Sequence, residues 1–202
     1  NKEEGKLNYK GIREQHFQQK QQDEKKEDTG KVLWNTLRIP RGAEYDLVLS
    51  DGTRIYLNAM SELRYPVQFS GDVREVELTG EAYFEVAHSG APFMVKVNGL
   101  EVEVMGTEIN INAYSGCPDI VTTLVEGKVK VRSGNKPDEG HVLHPSQQAV
   151  YSHTEKTVYV ADVEVSLYTG WKEGKLIFYN DRLEDIMNVL SRWYSADVFY
   201  LN

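Results

Sequence analysis

Leu47-Val48-Leu49-Ser50-Asp51-Gly52-Thr53-Arg54-Ile55-Tyr56-Leu57 decides the fold class: two apolar runs flank an Asp-Gly pair. That pair favours positive φ at both turn positions, which matches the twist of a β-hairpin. Working outward, Leu100, Val102 and Val104 alternate with Glu101 and Glu103, and Val129 and Val131 alternate with Lys128 and Lys130. A period of two is the signature of strands with one buried and one wet face. Further strands are expected over residues 73–78, 82–86, 93–97, 109–113, 121–125, 148–151 and 157–160, separated by Gly, Pro and Asn-Gly punctuation. From Trp34 to Asp162 the chain reads as all-β.

A weak echo runs through this region. Leu78-x-Gly80, Val104-x-Gly106 and Val125-x-Gly127 each place a glycine two residues after an apolar strand position. Glycine there lets a strand bend sharply or pass to a second sheet. The fold class expected is mainly β: a twisted antiparallel β-sandwich or β-roll, followed by a partial βαβ unit.

That last unit comes from a change of period. Residues 175–179 read as a strand; Leu183, Ile186, Met187 and Leu190 then fall on one helical face. Asp181 and Glu184 have capping-box spacing, the helix is expected to end near Trp193–Tyr194, and residues 198–201 read as a second strand. Two strands and one helix bury too little to be stable alone and must pack on something larger.

Composition narrows the function. Of 202 residues, 23 are basic and 31 acidic, a net charge of −8 that disfavours nucleic acid and anionic membrane surfaces as partners. Residues 1–30 hold seven Lys/Arg and seven Asp/Glu with few apolar side chains, so they read as a flexible linker. Cys117 is the only cysteine, which leaves no intramolecular disulfide and no thiolate cluster. No stretch is long and apolar enough to span a membrane.

Catalytic and cofactor motifs are absent, and no cofactor is expected. His141 and His144 lie beside Pro145 and read as solvated loop residues rather than zinc ligands. Glu81 and Glu85 share a strand face about 13 Å apart, from ~3.3 Å rise per residue. A glycosidase pair needs roughly 5–9.5 Å, so both read as structural carboxylates accepting turn amides. The aromatics Trp171, Tyr179, Trp193, Tyr194, Phe199 and Tyr200 crowd the C-terminal forty residues. They suit packing between units or a binding surface.

Seven ordered motifs now carry a resemblance. They are Leu49 to Ala59 with Ser61-Glu62-Leu63-Arg64-Tyr65-Pro66, Arg74 to Val86 (containing Gly80, Glu81 and Phe84), Pro92-Phe93, and Val104-Met105-Gly106-Thr107-Glu108-Ile109-Asn110. Thr123 to Val129 (containing Gly127), Leu143-His144-Pro145-Ser146-Gln147-Gln148-Ala149, and Trp171-Lys172-x-Gly174 with Leu190-x-Arg192-Trp193-Tyr194 complete the set. In this order they resemble the FecR family of anti-sigma regulators, in its Bacteroidetes form. Asp51, Gly52, Gly80, Glu81, Phe84, Gly106, Thr107, Gly127 and Trp171 are the positions that match the family's structural motif, and Ser146 stands where the family usually has glycine.

The resemblance implies the periplasmic part of a protein tethered to the inner membrane. Residues 1–30 would be the juxtamembrane linker, 31–165 the β domain, and 166–202 the first half of a C-terminal domain like the secretin and TonB short N-terminal fold. It implies two partners: the N-terminal signalling domain of a TonB-dependent outer-membrane transporter, and an extracytoplasmic-function sigma factor reached through a cytoplasmic part beyond these residues. It implies no catalysis. Trp193, Tyr194, Phe199 and Tyr200 are the expected partner-binding residues. The rival readings are a carbohydrate- or small-ligand-binding β domain and, more remotely, an enzyme on a β-roll frame.

Overall fold

A computed structural model describes residues 32–133 and 139–200. The linker expected over residues 1–30 lies outside the described residues.

Alternating apolar side chains produce the strands expected, except that those over residues 73–78 and 82–86 are one continuous strand, and further strands form over residues 34–38, 62–66 and 140–143. Along the chain they are β1 (Trp34–Arg38), β2 (Tyr45–Val48), β3 (Arg54–Leu57), β4 (Glu62–Pro66) and β5 (Arg74–Glu85). Then come β6 (Phe93–Val97), β7 (Leu100–Val104), β8 (Glu108–Ala113) and β9 (Asp119–Glu126). The last are β10 (Val129–Ser133), β11 (Gly140–Leu143), β12 (Gln147–Ser152) and β13 (Thr157–Asp162). They form two sheets that share β5. The first sheet runs β1-β4-β5-β6-β7-β10-β11 and the second β2-β3-β5-β8-β9-β12-β13. Thus the chain lays down strands in one sheet, crosses, and lays down strands in the other.

The glycine echo marks these crossings. β5 pairs with β4 and β6 up to Thr79, and with β3 and β8 from Gly80 onward. Gly80 has φ +98, and a Cβ there would stand 2.5 Å from Ser61 Oγ, so only glycine allows this bend. Gly106 (φ +59) lies between β7 of the first sheet and β8 of the second, and Gly127 (φ +92) between β9 of the second and β10 of the first. Thr107 Oγ1 binds the Met105 carbonyl at 3.2 Å and the Lys128 carbonyl at 3.1 Å, tying these two corners together. The passage from β11 to β12 turns on Ser146 at φ +68.

The core lies between the sheets. Val76, Phe93, Val95, Val102 and Val131 of the first sheet meet Ile55, Phe84, Ile109, Ile111 and Leu124 of the second, all essentially without exposure. Phe84 and Phe93 meet edge to face at 6.3 Å, a favoured geometry for aromatic pairs. The opposite face of the first sheet carries cross-strand ion pairs such as Arg64–Glu77, Lys96–Glu75 and Arg132–Glu101.

Several local expectations are corrected. At the Asp51-Gly52 turn only Gly52 (φ +88) has positive φ. Asp51 instead accepts from Thr53 N at 3.0 Å, Thr53 Oγ1 at 2.7 Å and Arg74 Nη1 at 2.5 Å, and this fixes its side chain inward. β5 and β6 pair in parallel, because β5 leaves the first sheet at Gly80 and the chain returns by residues 86–92. His141 sits on β11 rather than in a loop.

The C-terminal helix runs Leu183–Tyr194, as its periodicity predicts, and stops at Ser195 in the left-handed region. Its flanks do not form the two strands expected: residues 175–179 and 198–200 pair with no ladder, and a strand exists only through a partner. Asp181 does not cap the helix; its carboxylate turns back to accept from Tyr179 N at 2.8 Å, and Arg182 occupies the N-cap without a side-chain capping bond.

Candidate functional site

The outward face of the second sheet is polar, and strand alternation puts Glu81, Tyr83 and Glu85 of β5 on it beside Asn110 and Asn112 of β8. Glu81 is only 8% exposed. It receives Asn58 Nδ2 at 2.8 Å on one oxygen and Asn110 Nδ2 at 3.0 Å on the other. These donors are side-chain amides, not the turn amides expected. Its own backbone exchanges two bonds with the Ser61 hydroxyl, at 2.8 and 2.9 Å, locking the Gly80 corner. Burial holds the Glu81 carboxyl above the ordinary carboxylate range, opposed by the Asn110, Asn58 and Asn112 amides and by Arg192.

A connecting segment then lays itself on this face. After a short helix (Ser166–Thr169) and a 3-10 turn (Gly170–Glu173), Gly174 reverses the chain at φ +75. Trp171, 6% exposed, donates its indole N–H to Asn110 Oδ1 at 3.0 Å. Asn110 thereby links the indole to Glu81. Lys172 reaches Glu85 at 3.2 Å and sits over the Tyr83 ring at 3.9 Å and the Tyr56 ring at 5.0 Å. Tyr83 in turn donates to Glu108 at 2.5 Å, and burial together with that carboxylate raises its phenol above the usual range.

The C-terminal helix is fastened at its far end. The Arg192 guanidinium lies 4.0 Å over the Tyr114 ring, and the Arg192 carbonyl accepts Gly42 N at 2.8 Å. Tyr114 donates to the Ala59 carbonyl at 2.8 Å, and burial beside Glu81 raises its phenol. Arg41 and Asp197 add a 3.0 Å pair at the surface. Between these fastenings, helix and sheet enclose a cleft of about 230 Å³ whose floor includes Glu81 and Asn58 and whose wall includes Trp171, Ile186 and Val189.

The residues singled out from sequence separate into two groups. Gly80, Gly106, Thr107 and Gly127 build corners, Phe84 is core, and Asp51 with Gly52 forms the turn that receives Arg74. Only Glu81 and Trp171 meet, through Asn110, on the face just described. Tyr194, Phe199 and Tyr200 are exposed, at 64, 84 and 60%, whereas Trp193 is half-buried. No motif in the sequence assigns a role to the side chains of Asn58, Asn110, Lys172 or Arg192. The alternation of Glu108, Asn110 and Asn112 with Ile109, Ile111 and Ala113 is the available signal.

Among the described residues, no three His, Cys, Asp or Glu side chains are placed to hold a metal ion, and no helix is long and apolar enough to cross a membrane. The arrangement is one of contact and docking. A two-sheet β unit holds a helical segment through the Trp171–Asn110 hydrogen bond, and Tyr194, Phe199 and Tyr200 stay on the outside.

The comparisons agree. Residues 35–130 match the FecR protein family and residues 175–202 match the FecR C-terminal family. Two crystal structures of a candidate anti-sigma factor from Parabacteroides distasonis ATCC 8503, at 2.50 and 1.65 Å, share 30% identity with this chain. Their TM-scores are 0.75 and 0.74, with 81 and 80% of this chain covered and 76 and 75% of theirs. No curated protein matches the chain. The chain belongs to the FecR family.

Proposed function

We propose that this chain is the periplasmic sensing region of a membrane-tethered anti-sigma factor. It relays the state of a TonB-dependent outer-membrane transporter to an extracytoplasmic-function sigma factor by protein contact, without catalysis. Family membership and the anti-sigma description of the similar solved structures support the signalling role. The observation that carries the finer reading is the C-terminal segment. Its helix buries none of its residues fully, its surroundings expose Tyr179, Tyr194, Phe199 and Tyr200, and Trp171 nevertheless fastens it to the β unit. A partner bound there pulls on the sheet through Trp171 and Lys172. The coupling such a contact must supply is about 1–3 kcal/mol.

Calorimetric titration with the soluble N-terminal signalling domain of the cognate transporter tests the reading. Saturable heat, lost in Tyr194→Ala and Phe199→Ala variants that remain folded, is the expected result. Heat no larger than dilution would falsify transporter sensing by this protein.

A further inference from the structure

The outward face of the second sheet holds basic side chains by one recurring chemistry, an aromatic ring with a carboxylate beside it. Lys172 sits between Tyr83 and Glu85, and Arg192 sits over Tyr114 within electrostatic reach of Glu81. The cleft beneath the C-terminal helix repeats that composition. Trp171, Ile186 and Val189 supply an aromatic and aliphatic wall, Glu81 lies on the floor, and Asp181 and Asp185 stand on the helix side. Lys175 also borders the cleft, but its ammonium is engaged by Glu173 at 2.6 Å. Asp185 makes no ion pair or hydrogen bond among the described residues. It stands exposed in the first turn of the C-terminal helix, whose N-terminus favours an anion, and its carboxylate is open to a ligand at the rim of the cleft.

Size narrows the ligand. At about 230 Å³ the cleft is smaller than the roughly 300–1,000 Å³ of sites for drug-sized molecules. It suits one long side chain. An aliphatic stem against Ile186 and Val189, with a cationic head among carboxylates and near an indole, is the pattern lysine and arginine satisfy best. We propose that the cleft between the C-terminal helix and the second sheet is a binding site for a primary ammonium or guanidinium carried on an aliphatic stem. A lysine or arginine side chain of a partner polypeptide and a free alkylamine share that chemistry. The site is independent of whether the partner is a transporter.

The test is NMR titration of the intact chain at neutral pH, following the Trp171 indole N–H. The probes are Nα-acetyl-lysine N-methylamide, n-butylammonium, and Nα-acetyl-norleucine N-methylamide as an uncharged control. A saturable shift with the lysine amide, absent with the norleucine amide and weakened up to about fivefold in Asp185→Asn, is expected. Glu81→Gln should weaken it further. Binding of both cationic probes identifies head and stem as the recognised unit, and binding of the lysine amide alone places the source in a polypeptide. Equal shifts with the lysine and norleucine amides would show an apolar cleft without charge recognition and overturn the proposal. So would the absence of a saturable shift with either cationic probe, or a lysine affinity unchanged in both variants. Because no transporter domain enters the experiment, its outcome is separate from the calorimetric test above.

Discussion

The indole N–H of Trp171 donates to Oδ1 of Asn110 at 3.0 Å across a separation of 61 residues, while the amide of the same asparagine donates to Glu81. One side chain on β8 thus uses its acceptor to hold the C-terminal segment and its donor to satisfy a buried carboxylate. Removing the indole donor leaves a buried acceptor unpaired, which costs about 1–3 kcal/mol. Trp171→Phe should lower stability by that amount in urea denaturation and raise the rate of proteolysis beyond residue 166. Tyr179→Phe, at a residue 79% exposed, should change neither.

Gly80 and Gly71 separate close approach from backbone strain. Both have strongly positive φ, +98 and +107, yet a Cβ at Gly80 would meet Ser61 whereas one at Gly71 would meet nothing within 4 Å. Gly71→Ala should cost about 1–2 kcal/mol, the left-handed penalty alone. Gly80→Ala adds a clash with backbone and should cost about 3 kcal/mol or more. Thermal unfolding of the two variants side by side checks the difference.

Arg74 and Asp51 form a buried ion pair at 2.5 Å, with side chains 4 and 11% exposed. The guanidinium also donates to the carbonyls of Ala87, at 3.0 Å, and Ala91, at 2.9 Å. Breaking such a pair from one side strands a charge and costs about 3–5 kcal/mol. Arg74→Met and Asp51→Asn should each destabilise on that scale. The double variant should cost less than the sum, and a double-mutant cycle in denaturant measures the shortfall.

Glu81 sets a pH dependence. Burial raises its carboxyl in the folded protein, so folding binds a proton there more tightly than the unfolded chain does. The resulting stability is full below the unfolded value of about 4.3 and is lost as pH rises through the raised folded value. Glu81→Gln cannot ionise, so the fall in stability between pH 4.5 and 7.5 should be shallower in the variant. Urea midpoints at the two pH values report this, and parallel slopes for both proteins would contradict it.

Much of this protein was legible in one dimension because the determinants are local. Period-two alternation at Leu100–Val104 and Val129–Val131 is a property of neighbouring residues, so the strands and their buried faces follow from it. The x-Gly spacing at Gly80, Gly106 and Gly127 marks sheet crossings because only the local backbone must bend there. The helix Leu183–Tyr194 follows from its own i, i+3, i+4 stripe. What tertiary structure decided involves groups distant in sequence. The parallel pairing of β5 with β6, the inward turn of Asp51 toward Arg74, and the unpaired flanks of the helix depend on which partners arrive. The meeting of Asn58, Glu81, Asn110 and Trp171 depends on four segments converging on one sheet face. A hydrogen bond needs its partner within about 3 Å, and no pattern along a single strand records which distant residue will stand there.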